Sequence, residues 1–257
     1  MGLLSFALRQ AVAKTLRGAT LAGQRVYDSP IEPLDEVVKP NGEGRPLIAI
    51  YIHETKKTSI DGRRLGQSQG EAELTIQVYS PHRVVLDVNG APVEIKGTGI
   101  AGILDFVERQ IEAALVVSDG AWAKIFRRLV TSFSSATSTR LMVRVAEKDD
   151  GVFIPLAEIS YTLKTAWEPV YGEPMDQMWT EIVNAFKADP QFNAMGHYMQ
   201  ALIELPADMN DWRRAQAVLG ATFGDMVNIG LTPPGAIAAE DAPLLAEIYA
   251  AAPPVTP

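Results

Sequence analysis

The sequence predicts an α+β fold: a mixed, largely antiparallel sheet with helices packed on one face, plus a C-terminal all-helical extension. Three observations carry this expectation. Over the first two thirds of the chain, apolar residues switch between helical spacing and strict alternation. An Asn89-Gly90 pair flanked by β-branched runs marks a tight hairpin. Beyond residue 171 only helical spacing is left.

The elements follow in order. Leu4, Leu8, Ala11, Val12 and Leu16 fall at helical spacing, and Gly18 stops the helix. Arg25-Val26-Tyr27-Asp28 reads as a short strand broken by Ser29-Pro30, and residues 31–46, rich in Pro and Gly, read as a long loop. Leu47 to Ile52 is apolar on both faces, as in a strand covered from two sides. A polar stretch over 59–70 leads into Leu74-Thr75-Ile76-Gln77-Val78-Tyr79, a clean alternating strand. The hairpin lies between His82 and Lys96.

Ile100, Ile103, Leu104, Val107, Ile111, Ala114 and Leu115 make one apolar stripe of a long helix. Ser118 or Asp119 is placed to cap a second one carrying Trp122, Ile125, Phe126, Leu129 and Val130. A Ser/Thr-rich segment, Thr131 to Thr139, separates it from a strand at Leu141 to Val145. After a turn at Lys148-Asp149-Asp150-Gly151, alternation from Leu156 to Trp167 closes the region with an antiparallel strand. Trp179, Ile182, Val183 and Phe186 then mark a helix, and Met195, Met199, Leu202 and Ile203 another, with Trp212, Val218, Phe223 and Val227 beyond.

Composition narrows the chemistry. With 257 residues, 47% of them apolar, the chain can bury a core of one large domain, alone or with an appendage. It has no cysteine, which excludes disulfides, thiolate zinc sites, Fe–S clusters and a cysteine nucleophile. The net charge of −8 argues against coating nucleic acid. That charge is unevenly placed: residues 1–171 hold 20 basic and 20 acidic side chains, residues 172–257 hold 3 and 11. Two regions follow, a neutral α+β domain over 1–171 and an acidic helical extension over 172–257. Arg9, Lys14 and Arg17 interrupt the N-terminal apolar run, against a signal peptide, and no run of ~18 uncharged apolar residues predicts a membrane span.

Two enzyme fingerprints match as strings. Gly66-Gln67-Ser68-Gln69-Gly70 fits G-x-S-x-G, but a nucleophile elbow needs a strand before the serine and a helix after it, and here the order is reversed. Gly97-Thr98-Gly99-Ile100-Ala101-Gly102 fits G-x-G-x-x-G before a good helix, yet a hairpin arm precedes it and a second helix follows. His53, His82 and His197 are far apart, and the carboxylate pairs Asp35-Glu36 and Asp149-Asp150 fall in loop and turn. Lys56-Lys57 and Arg63-Arg64 make a small basic loop. Six of the eight methionines lie beyond residue 171, as ordinary helix core or an adaptable interface. No catalytic, cofactor-binding or metal site is expected, and no enzyme.

The segment Arg25-Val26-Tyr27-Asp28-Ser29-Pro30, followed by Ile31-Glu32-Pro33-Leu34, resembles tail terminator (tail-completion) proteins of long-tailed bacteriophages. So does the succession around it: an N-terminal helix, strands near 46–54 and 73–80, a long helix near 102–117, a shorter one containing Ala121-Trp122, and a closing hairpin near 140–168. The resemblance covers about residues 3–170. It implies a structural virion protein, assembled in the host cytoplasm, that forms a ring, typically a homohexamer, at the head-proximal end of the tail. Such a ring stops tail-tube polymerisation and offers a surface to the head-side connector. Its partners would be its own copies, the tail-tube protein and the connector or stopper, with DNA only passing through the lumen and no membrane. Arg25, Tyr27, Asp28 and Ser29, polar and aromatic beside a Pro-rich loop, are the expected ring contact. The chain departs from the family in its acidic extension and in the hairpin at 84–95, which looks inserted. The alternatives are another neck, connector or baseplate protein, and a nucleotide-binding enzyme using the turn at 97–102.

Overall fold

A computed structural model describes residues 2–29, 44–59, 68–88, 91–145, 152–169 and 174–204. The chain divides into two compact units, one of residues 1–56 and 70–166, the other of 57–69 and 167–257. The border expected after Tyr171 falls among residues outside those described, as do the turn at 148–151 and the helices expected beyond 204.

The larger unit opens with α1 (Leu3–Leu16). Sequence spacing suggests one apolar face, but Ser5, Gln10 and Thr15 are buried as well as Leu4, Leu8, Val12 and Leu16. The helix is enclosed nearly all round because it packs against both other helices of the unit and against the first strand. It ends at Arg17, and Gly18 takes the left-handed φ of +73° that turns the chain back. Then come β1 (Val26–Asp28), β2 (Leu47–Ser59) and β3 (Ser68–Tyr79). The hairpin is β4 (Arg83–Val88) with β5 (Ala91–Lys96), registered Val88 to Ala91, and Asn89-Gly90 between them lies outside the described residues. Two helices follow, α2 (Gly99–Val117) and α3 (Ala121–Leu129). The cap of α3 is Gly120, whose N–H donates to Ser118 Oγ at 3.2 Å, so Ser118 braces the junction from two positions further out.

A long pair closes the unit, β6 (Val130–Val145) against β7 (Val152–Trp167). The main sheet has the order β1-β2-β3-β7-β6, with β1 parallel to β2 and β6 antiparallel to β7. The Ser/Thr segment expected to separate helix from strand is itself strand. Thr is β-branched and accepts the pleat, and β6 buries neither face there, so no apolar alternation betrays it. Along β7, Ala157, Ile159, Tyr161 and Leu163 are buried, as the alternation requires. From the other face, Ile154 and Leu156 join Leu47, Ala49 and Tyr79 in a buried cluster, with Tyr51 and Val143 packed on it. A polar ladder continues that face: Thr75 Oγ1 and Ser160 Oγ are 3.1 Å apart, and Gln77 Nε2 donates to Glu158 at 2.7 Å.

In the smaller unit, α4 (Gln177–Ala188) and α5 (Asn193–Glu204) form a helical pair. Asp176 caps α4 by accepting from Trp179 N at 2.7 Å, and buried Trp179 donates its indole N–H to Trp167 O at 3.1 Å. Gly196 lets the pair close, since a Cβ there would meet Lys187 N at 2.6 Å.

Candidate functional site

The segment expected as a ring contact divides into inward and outward residues. Asp28 turns inward, its Oδ1 3.0 Å from Arg9 Nε, and accepts from Gln10 Nε2, so it ties β1 to α1. Arg17 completes the clasp, donating through Nε and Nη2 to Val26 O, each at 3.2 Å. Burial raises the Asp28 carboxyl above its ordinary value, only partly offset by Arg9, Ser29 Oγ and Arg17. Ser29 ends the strand at a φ of +43°, rare for a residue with a side chain, and its N–H donates to Ile50 O at 2.8 Å. Arg25 donates to Arg45 O at 2.8 Å. Tyr27 points outward at the sheet edge. Three of the four residues therefore make internal bonds, and Tyr27 is the one that offers apolar surface.

Larger exposed features lie elsewhere. β6 is an edge strand whose side chains from Thr131 to Met142 are all exposed, among them Phe133, Leu141 and Met142. Its inner neighbour fixes it: Ser135 Oγ donates to Thr162 Oγ1 at 3.0 Å, and Phe133 meets the rings of Phe126 and Tyr161 at 6.3 and 6.1 Å. Arg140 reaches from β6 to α2, with Nη2 2.6 Å from both Asp105 and Glu108, and Ser138 Oγ donates to Glu108 at 3.1 Å. On α2, Phe106 is 61% exposed and Val117 74%. Both fall off the buried stripe, a signal readable in the sequence because an aromatic outside the apolar face has no core to join. The β4–β5 hairpin adds Val85 and Val93, with Glu94 bound by Arg83 at 3.2 Å and Lys96 at 2.9 Å.

The enzyme-like strings have local explanations. Ser68 is the first residue of β3, so a strand follows it where an elbow would place a helix, and Gly66-Gln67 lie outside the described residues. Gly97 takes φ +59° and its carbonyl accepts from Ile100 N at 3.1 Å, turning the antiparallel arm β5 into α2. A Cβ on Gly99 would stand 2.6 Å from Ile95 Cγ2, so this glycine seats the helix on the hairpin. His53 stacks on Tyr51 at 5.7 Å, His82 is exposed between β3 and β4, and His197 lies in α5. Asp35-Glu36, Asp149-Asp150 and Arg63-Arg64 lie outside the described residues, as do the side chains of Lys56-Lys57. Among the described residues no group of three His, Asp or Glu is placed to hold a metal ion. No helix among them is long and apolar enough to cross a membrane. Compared with known proteins, the chain matches no family model and no curated protein.

Proposed function

We propose that the chain is the subunit of a ring at the head-proximal end of a viral tail, where it stops growth of the tail tube and presents a surface for head joining. The observation that carries this reading is the order of elements. A helix, a short Val-Tyr-Asp strand clasped to it, two long strands, a long helix, a short helix with Trp122 and a closing antiparallel pair succeed one another as the resemblance requires. The exposed apolar residues on α2, β6 and the β4–β5 hairpin give the charge-neutral region 1–171 several surfaces for neighbours, and a ring needs at least two that differ. The acidic region beyond residue 171 then decorates the ring or clamps an adjoining component.

The test is genetic and microscopic. Loss of the protein should give over-long tails without heads, and the purified chain should form closed rings as wide as a tail tube. Tails of normal length with heads attached would overturn the reading. Removing residues 172–257 separates the two roles: normal length with intact head joining would exclude the clamp.

A further inference from the structure

We infer that the free edge of β6 is a self-pairing surface, on which a second copy of this chain lays its own β6 antiparallel about a two-fold axis. A strand edge offers a row of unpaired N–H and C=O groups, and proteins that keep such an edge to themselves shorten it, charge it or break it with proline. The other edges described here carry those guards. The outer strand at the far side of the main sheet, β1, has three residues. In the small sheet, β5 carries Pro92 as its second residue and the charged pair Glu94 and Lys96. On β4, Val85 N already donates to Gly44 O at 3.2 Å.

The β6 edge is different. It runs 16 residues, holds no proline, and has no charged residue from Thr131 to Thr139. Among the described residues its strand neighbour is β7 alone. Bulges interrupt the register near Ser132 and Phe133, but from Ser135 to Val145 it is unbroken, so the edge stays straight over most of its length.

Pairing needs two open edges. Beyond Ile50 the outer side of β2 has no described strand partner either, but that stretch carries Glu54, Lys56 and Lys57. Among the described residues β6 is the one long edge with an uncharged run, and the strand that matches it is the same strand of another copy. Antiparallel self-pairing also fits the pattern of side chains. It brings the Phe133 end of one strand to the Leu141–Met142 end of the other and sets the Ser/Thr/Ala centre against itself, where no like charges meet. A parallel arrangement would set Arg140 beside Arg140. The contact is isologous, so it makes dimers, or joins rings in pairs, and it stands independently of the tail reading.

Single-thiol variants test it cleanly because the native chain has no cysteine. Cysteines placed one at a time at Ser135, Ala136, Thr137, Ser138 and Thr139 in the full chain should cross-link between copies with a short bifunctional reagent, most at one position and less on either side. Sedimentation should give the wild type as a dimer or an even assembly. Ser135→Lys with Thr137→Lys should halve that mass while preserving the circular dichroism spectrum, and added salt should partly restore it. A monomeric wild type, an unchanged mass in the folded double-lysine variant, or an oligomer with no cross-link at any of the five positions would each overturn the inference.

Discussion

Arg9 Nε and Asp28 Oδ1 stand 3.0 Å apart with 16% of each side chain exposed, so the first helix and the edge strand β1 share a nearly buried ion pair. Breaking such a pair from one side leaves a desolvated charge, at a cost larger than a surface contact can reach. Arg9→Met is expected to lower stability by about 2–3 kcal/mol at neutral pH in urea unfolding. The pH dependence has a definite sign. Burial holds the Asp28 carboxyl above its ordinary 3.8, so its contribution is whole below that value and is lost as pH rises through the raised one. In Arg9→Met that carboxyl rises further, so the deficit should shrink on acidification, whereas Asp28→Asn should remove the slope. A neutral-pH loss under about 0.5 kcal/mol would mean that the pair is solvated.

Arg140 gives the contrasting case. It lies 2.6 Å from both Asp105 and Glu108, closer than Arg9 to Asp28, but Asp105 is 66% exposed. Water and salt screen this cluster, so Arg140→Met should cost less than about 1 kcal/mol, and half-molar salt should erase most of the difference. Urea unfolding at two ionic strengths measures it. A loss equal to that of Arg9→Met would show that distance outranks burial here.

These two clusters also show how far the sequence could be read. The helices were legible because their apolar stripes face a core, and so was β7, whose alternation faces one too. β6 was legible only at its Leu141–Val145 end, because Thr131 to Thr139 bury nothing and leave no pattern. Pairing is a property of β7's register, not of local spacing. At the expected ring contact the structure adds what local composition cannot carry. Arg, Tyr and Asp beside a proline look like interface composition, yet Asp28 is spoken for by Arg9 and Gln10, 19 and 18 residues away. Phe106 and Val117 were not singled out from the sequence, although both leave the helical stripe.

Tyr161 should govern stability in base. Burial first, then Glu112 and Glu108, push its phenol from 10.0 up to about 12. A raised folded value means its contribution is present below 10.0 and is lost as pH rises through about 12. Tyr161→Phe should therefore unfold less readily than the wild type across that interval, and Glu108→Gln should bring the phenol down. Tyrosinate absorbance, followed beside urea unfolding, reads both. A wild-type and Tyr161→Phe pair with identical alkaline unfolding would contradict the assignment.

The three glycines at 97, 99 and 102 make an ordered prediction. Gly97 holds φ +59°, so Gly97→Ala should cost about 1 kcal/mol through backbone strain. Gly99→Ala puts a methyl 2.6 Å from Ile95 Cγ2, a stiff β-branched group, and should cost about 1–2 kcal/mol. Shortening the obstacle, with Ile95→Ala in the same chain, should recover part of that loss, a coupling that only direct contact explains. At Gly102 nothing lies within 4 Å and the residue is helical, so Gly102→Ala should stabilise by about 0.5–1 kcal/mol. A destabilised Gly102→Ala would contradict the open space around that position, since nothing within 4 Å resists its methyl.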